Sequence, residues 1–340
     1  MDAEEYKALL LSRDTVLAAY LQELAREEVL TRFGNKIFIR GLIEITNRCR
    51  NNCYYCGIRK ENRNIVRYEL AQEEILSCCH EGYRLGFRTF VLQGGGGTIT
   101  ADTICDIISD IHRIYPDCAI MLSLGEHIRS EYEQMYFAGA NHYSLYHMTA
   151  DREHYERLHP GEMSFHNRMD CLRDLKDIGF RIGCGFMVGS PHQTPHTLAK
   201  ELKFIEEFQP DMCGITPFVP HKDTPFSSFH PGTLLQTVYM LSLARLIRPN
   251  ILLPSATVLS CIAEDGRERS IKAGANVVTV DLSPMSVRDK YSPHDNKTDR
   301  GEAKHELEQL KVSMERIGYR VAFDRGNVKR QSDLPKKERP

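Results

Sequence analysis

The sequence predicts an α/β protein, a (β/α)8 barrel of the TIM type with an N-terminal helical extension and a C-terminal helix. Two observations carry this prediction. From about residue 40 onward, eight short, β-branched apolar runs alternate with longer stretches whose apolar residues recur every three or four positions. The chain also contains no GxGxxG fingerprint. An open doubly wound sheet has the same spacing, but the count of eight and the missing fingerprint favour closure.

Taken in order, residues 1–35 read as a helical extension expected to cover one end of the barrel, and residues 36–300 as the barrel. The strand runs are "GLIEIT" from Gly41, "TFVLQ" from Thr89, "AIMLSL" from Ala119, "HYSLY" from His142, "RIGCGFMV" from Arg181, "DMCGIT" from Asp211, "ILLPSAT" from Ile251 and "NVVTV" from Asn276. Between them lie helical patterns such as "TADTICDIISDIHRIY" and "HTLAKELKFIEEF", with their acids clustered early. Residues 301–325 read as a last amphipathic helix and the end of the fold. Residues 326–340, charged and proline-containing, are predicted to form a flexible tail.

Composition excludes more than it assigns. With 340 residues, 41% hydrophobic and 26% charged, the chain can bury a large core. A net charge of −2 argues against a nucleic-acid surface. No apolar run approaches the roughly 18 residues of a membrane span, and "MDAEEYKALL" lacks the features of a secretion signal. A cytoplasmic protein is expected. Its 11 cysteines therefore read as thiols, and eight of them, with no ligand spacing, as small buried hydrophobes.

The other three stand apart. Cys49, Cys53 and Cys56, in "CRNNCYYC", fall in the loop leaving the first strand, at the end where such barrels carry their chemistry. A structural zinc site needs four ligands. None follows at zinc-finger spacing, although His80 is left open. Three thiolates on a [4Fe–4S] cluster leave one iron free for a substrate or cofactor. Chance clustering is the competing reading, and the polar loop and the spacing weigh against it.

"CRNNCYYC" resembles the CxxxCxΦC motif of radical S-adenosylmethionine (SAM) enzymes, with Tyr55 at the aromatic position beside the adenine. The resemblance runs from about Asn35 to Lys297. It is nearest to the HydE family of [FeFe]-hydrogenase maturases, in the group that also holds biotin synthase and methylornithine synthase. "CYYCGIRKENRNIVRY", "FVLQGGGG", "LSLGE", "LHPGEMSFHNRMDCLRDLKDIGF", "GCGFMVGSPHQT", "PFVPHKDTPF", "DGRERSIKAGANVV" and "LSPMSVRDKY" carry it. It implies a [4Fe–4S] cluster and SAM as cofactors, and cleavage of SAM to methionine and a 5′-deoxyadenosyl radical, with no catalytic side chain beyond them. The implied substrate is a small iron species bearing CO, cyanide and cysteine, on the way to the hydrogenase subcluster. Implied partners are a reductant such as ferredoxin or flavodoxin and other maturation proteins, with no nucleic acid and no membrane.

The resemblance also assigns residues. Arg168 matches the arginine that holds the SAM carboxylate, a task suited to a guanidinium fork. Gln93, Gly94 and Gly95 match the run approaching the SAM amine, and Met187 and Val188 the segment beside ribose and adenine. Tyr291 matches a tyrosine near the substrate, and Tyr146 and Met148 stand where relatives line the SAM and substrate cavity; Ser123, ending the third strand, and Thr257, after the seventh, face the cavity if the barrel holds. Each has a plain alternative: a solvated helix face, a flexible loop, core packing or a helix cap.

The departures gather at the same end of the barrel. Gly96 stands where relatives usually carry a glutamate, and Tyr146, His147, Met148 and Thr149 replace their RHET. Two carboxylates and a cation are missing, each carboxylate worth on the order of 1.5–3 kcal/mol against an ammonium. Thr216, Ala256 and Thr279 to Asp281 also differ; Asp281 is a candidate to restore negative charge. No cysteine follows Cys261, so no second cluster is expected. A paralogue with a changed substrate, a methylornithine- or biotin-synthase-like enzyme, with Cys118, Cys184 and Cys261 as candidate ligands for an inner cluster, and an iron–sulfur scaffold that leaves SAM intact are the alternatives.

Overall fold

The computed structural model describes residues 1–295 and 301–326. The predicted tail from 326 lies, apart from Gly326, outside the described residues, as does Lys297. Helices α1 (Ala3–Leu11) and α2 (Thr15–Phe33) lead into β1 (Lys36–Thr46), α3 (Gln72–Arg84), β2 (Thr89–Gly94), α4 (Ala101–Ile114) and β3 (Ala119–Ser123). Next come α5 (Arg129–Ala138), β4 (His142–Ser144), α6 (Arg152–Leu158), α7 (Phe165–Ile178), β5 (Arg181–Val188), α8 (Pro195–Phe208) and β6 (Met212–Pro217). The chain continues through α9 (Leu234–Ile247), α10 (Leu259–Ile262), α11 (Gly266–Lys272), β7 (Val277–Asp281), α12 (Met285–Arg288), α13 (Ala303–Arg316) and β8 (Arg320–Ala322).

The sheet is parallel, in the order β6-β5-β4-β3-β2-β1-β7, as a TIM-type barrel requires. Seven of the eight expected runs form its strands. The eighth, from Ile251, bridges β6 to β7 through single pairings, Met212 with Leu252 and Pro254 with Val277. Cys213 N donates to Leu252 O at 3.0 Å and Ser255 N to Val277 O at 2.8 Å, so the segment lies in the gap. Pro254 has no N–H to extend a ladder, which keeps the run irregular. Strand β8, not foreseen, pairs with Lys36–Phe38 at the base of β1, before β2 begins.

Alternation along the strands sorts two layers. Ile37, Ile39, Ile43 and Ile45 of β1 face the helices with Phe90, Leu92, Ile120 and Leu122. Phe38, Val91, Met121, Met212, Leu252 and Val277 form a separate inner cluster that plugs the base. Above that plug the inward register positions turn polar, with Arg40 and Glu44 on β1, Gln93 on β2 and Ser123 on β3. The change from apolar to polar places a lined cavity at the carboxyl ends of the strands. The N-terminal helices differ from expectation: α1 lies on α8 and α2 on α9, outside the helix ring, and only Phe33 reaches the inner cluster. The low amphipathicity of "TVLAAYLQELAREEVLTRF" offers no strip wide enough to seal an opening.

Candidate active site

β1 ends at Thr46, and the loop after it is fastened along its length. Asn47 Nδ2 donates to Val66 O at 2.8 Å and Lys290 O at 2.7 Å, and Asn47 Oδ1 accepts from Tyr68 N at 2.8 Å. Arg67 donates to the carbonyls of Asn47, Ile58, Arg59 and Asn62, at 2.5 to 3.1 Å. The glycine run after β2 lies flat against this loop: a Cβ on Gly95 would stand 1.9 Å from Arg48 O and 2.6 Å from the Cys49 Cβ. A Cβ on Gly94 would stand 2.9 Å from the Thr46 methyl, and Gly96 O accepts from Arg50 N at 3.0 Å. Gly95 therefore touches the cysteine loop itself, and Gly94 the end of β1 just before it.

Cys49, Cys53 and Cys56 are in no disulfide and are partly buried, and Cys53 and Cys56 lie close enough to the neighbouring thiols to be shifted by them. Burial first, then the neighbouring Cys49, pushes the Cys53 thiol up to about 11, against the lowering pull of Arg168. Burial and the other two thiols push Cys56 higher still. Three thiols gathered on one loop, two of them desolvated, suit a shared cationic centre that would take them as thiolates. Among the described residues no three His, Cys, Asp or Glu side chains converge as a single ion would need. A cubane has no such need, since each thiolate binds a different iron. His80 is no fourth ligand: it is exposed on α3, with Nδ1 3.2 Å from the Tyr115 hydroxyl.

Beside the thiols stands a buried aromatic and ionic wall. His159 Nδ1 lies 2.9 Å from Tyr155 O, a carbonyl that only accepts, so that nitrogen carries the proton. Its Nε2, 3.0 Å from the Tyr55 hydroxyl, must then accept from it. Burial, reinforced by Arg168, pulls His159 down to about 3, so the ring is neutral. Arg168, in the opening turn of α7 behind its Ser164 cap, donates through Nε to Glu126 Oε1 at 2.8 Å and through Nη1 to Tyr146 O. Burial opposes its charge, but Glu126 more than offsets that and holds the guanidinium above its ordinary value. Nε and one N–H of Nη1 are taken, which leaves the second N–H of Nη1 and both of Nη2 for a ligand.

The comparisons fall on these residues. A family model described as the Radical SAM superfamily matches residues 43–205. The [FeFe] hydrogenase maturase subunit HydE of Thermotoga maritima is 38% identical over 295 residues, covering 86% of this chain and 84% of that protein. The chain belongs to the radical SAM superfamily. It is a radical SAM enzyme related to HydE. The 3-methylornithine synthase of Methanosarcina acetivorans is 28% identical over 321 residues, covering 94% and 90%. The crystal structure of methylornithine synthase (PylB) superposes with a TM-score of 0.82 at 25% identity, over 94% of both chains.

Within this radical SAM barrel the remaining expected site residues separate. Gln93 and Ser123 are register partners on the inner face, and buried Tyr291 lies against Gln93, near Glu44 and Cys56. Met187 joins an apolar shelf with Tyr54, Tyr55, Met148 and Phe218. Val188, one position on, faces the helix layer, so its side chain is not beside that shelf; the period-two alternation makes this unavoidable. Thr257 is exposed on the loop opening α10, where its carbonyl accepts from Ser260 N. Asp281 is already engaged, accepting from Ser283 N at 2.8 Å with Arg288 Nε at 3.8 Å, and is no free replacement carboxylate.

The substituted loop after β4 is set from both sides. Tyr146 lies on β5 and β6: a Cβ on Gly214 would fall 1.7 Å from its hydroxyl and one on Gly185 2.7 Å from its ring. Met148 has φ 65, a left-handed conformation costly for an unbranched side chain. Between them His147, fully buried, faces away from the cavity and pairs with Glu201 on α8 at 2.8 Å, while Glu201 Oε1 accepts from Ala150 N. Burial lowers His147, but Glu201 carries it up to about 9. Cys184 lies against this pair and Cys213 in the outer layer, not in the cavity, so it cannot ligate an inner cluster. Arg40 was missed too: its Nη1 spans the barrel to the sulfurs of Met121 at 3.0 Å and Met212 at 2.9 Å. Glu126, His159 and Glu201 lie in recognisable segments, but their roles need the tertiary contact to be seen.

Proposed function

We propose that Cys49, Cys53 and Cys56 hold a [4Fe–4S] cluster, that SAM binds between it and Arg168, and that the enzyme acts on a small iron–cysteine species in [FeFe]-hydrogenase maturation. The observation that carries the reading is the meeting of three thiols with the buried Arg168–Glu126 pair at the strand carboxyl ends. When bound, the cluster supplies the electron that splits SAM into methionine and a 5′-deoxyadenosyl radical.

The chain's own groups bind, orient and exclude. Arg168 Nη2 takes the SAM carboxylate, and Glu126, adjoining Gly125 where Gly96 packs, supplies a carboxylate for the ammonium that Gly96 lacks. Tyr55, fixed by neutral His159, with Tyr54, Met148 and Met187 offers an apolar shelf to the adenosine, which keeps water from the reactive carbon. Gln93, Ser123 and Tyr291 face the substrate from the opposite wall. The described part of the expected barrel, residues 36–295, is the catalytic unit, and the enzyme works in the cytoplasm, where its eleven thiols stay reduced.

A second reading has its own support. Tyr146 and Met148, in place of an arginine and a glutamate, favour a less charged substrate than that of relatives carrying both, as in a paralogue or a methylornithine-synthase-like enzyme. Anaerobic, dithionite-reduced protein given SAM is expected to release methionine and 5′-deoxyadenosine. Release no greater than that of a Cys53→Ala control would leave a scaffold that does not cleave SAM.

A further inference from the structure

The rim around the cysteine loop is strongly basic. The stretch from Arg48 to Arg67 carries six arginines or lysines against one carboxylate, Glu61, in a chain of net charge −2. Two limbs of this stretch lie side by side, with Lys60 N donating to Asn51 O at 2.8 Å and Asn47 Nδ2 to Val66 O at 2.8 Å. Its charges are of two kinds. Arg67 holds four carbonyls, Arg50 donates to Glu126 O at 2.7 Å, and Arg59 pairs with Glu61 at 3.0 Å. Arg48, Lys60 and Arg63 are exposed, and among the described residues their side chains make no hydrogen bond or ion pair. Among the nearby carboxylates, Glu61 pairs with Arg59, and Asp223 accepts from the neutral Asn64 Nδ2 at 2.8 Å. Val66, 67% exposed, sets an apolar spot among the free cations, and Cys49 is partly open between Arg48 and Arg50.

These three cations, without a hydrogen bond or ion pair among the described residues, surround an apolar spot on the loop that would hold a redox centre. We propose that this rim is the docking surface for a small acidic one-electron carrier protein, with Arg48, Lys60 and Arg63 steering it and Val66 at the centre of contact. The inference rests on the function proposed above. One electron leaves the reduced carrier, which is oxidised, and enters the cluster, which is reduced; no covalent bond changes. Rim charges of this sort act on association rate and its salt dependence more than on the chemistry that follows. Over about 10 Å, the screening length near 0.1 M salt, their fields add.

The test uses reconstituted holoenzyme and compares two electron sources, a reduced flavodoxin and dithionite, with 5′-deoxyadenosine as the readout. In an Arg48→Glu/Lys60→Glu/Arg63→Glu variant, the flavodoxin-driven second-order rate is expected to fall on the order of tenfold or more at low salt and to lose its salt dependence. The dithionite-driven rate stays within about twofold of the parent, because the small reductant needs no docking face. Lys60→Glu alone gives a smaller loss in the same direction. An unchanged flavodoxin rate overturns the proposal, and so does an equal loss with both reductants, which would mark the charges as structural. Failure of the parent protein to cleave SAM with dithionite overturns the underlying function instead, and this surface with it.

Discussion

His159 illustrates how a single proton sets local geometry. Its tautomer is dictated by Tyr155 O, and that in turn makes Tyr55 the donor. Because its folded value lies near 3, below the ordinary 6.5, the unfolded chain takes up a proton that the folded one refuses as pH falls through this window. Stability therefore declines from about pH 6.5 downward, on the order of 1 kcal/mol per pH unit, and is unaffected above it. In thermal unfolding between pH 6.5 and 4.5, His159→Gln should show a flatter profile than the parent. Arg168→Met, leaving Glu126 buried without its partner, should cost about 3–5 kcal/mol, and Arg168→Met/Glu126→Gln clearly less, by denaturant unfolding. The sequence made the three cysteines and Arg168 readable because spacing and motif suffice for them. Glu126 and His159 escaped because they act on partners 42 and 104 positions away.

The loop after β1 and the exit of β2 behave as one element. Gly95→Ala would drive a methyl into Arg48 O and the Cys49 Cβ, backbone and first carbon of the cysteine loop, neither of which can swing aside. It should fold, as judged by circular dichroism, yet retain less iron per chain after reconstitution than the parent. The wall facing it has a similar dependence. Gly214→Ala meets the Tyr146 hydroxyl at 1.7 Å, so it should destabilise by about 1–3 kcal/mol, a penalty that Tyr146→Ala relieves in the double variant. Strand positions were legible because inward and outward residues alternate. The irregular run at Pro254 and the short β8 were less so, since one breaks the ladder and the other is too brief to show a period.

At the scale of the whole molecule, the barrel is an apolar plug at one end, a polar lumen above it and a cysteine loop at the mouth. The closed topology could be read from the eightfold alternation, whereas the packing of α1 and α2 outside the ring could not, because amphipathic strips do not name their partners. The outer layer behind β4 hides a second set of ionisable groups, His147, Glu201 and Cys184, which brace the substituted loop without entering the cavity. That division of labour predicts that Glu201→Ala disturbs substrate selection and thermal stability while leaving the iron content of reconstituted protein unchanged. The most direct measurement is electron paramagnetic resonance of anaerobically reconstituted, reduced protein with and without SAM. A reduced [4Fe–4S] signal that shifts on adding SAM, and that is lost in Cys53→Ala, is the predicted result; protein that takes up only zinc, or a cluster signal indifferent to SAM, would contradict the account.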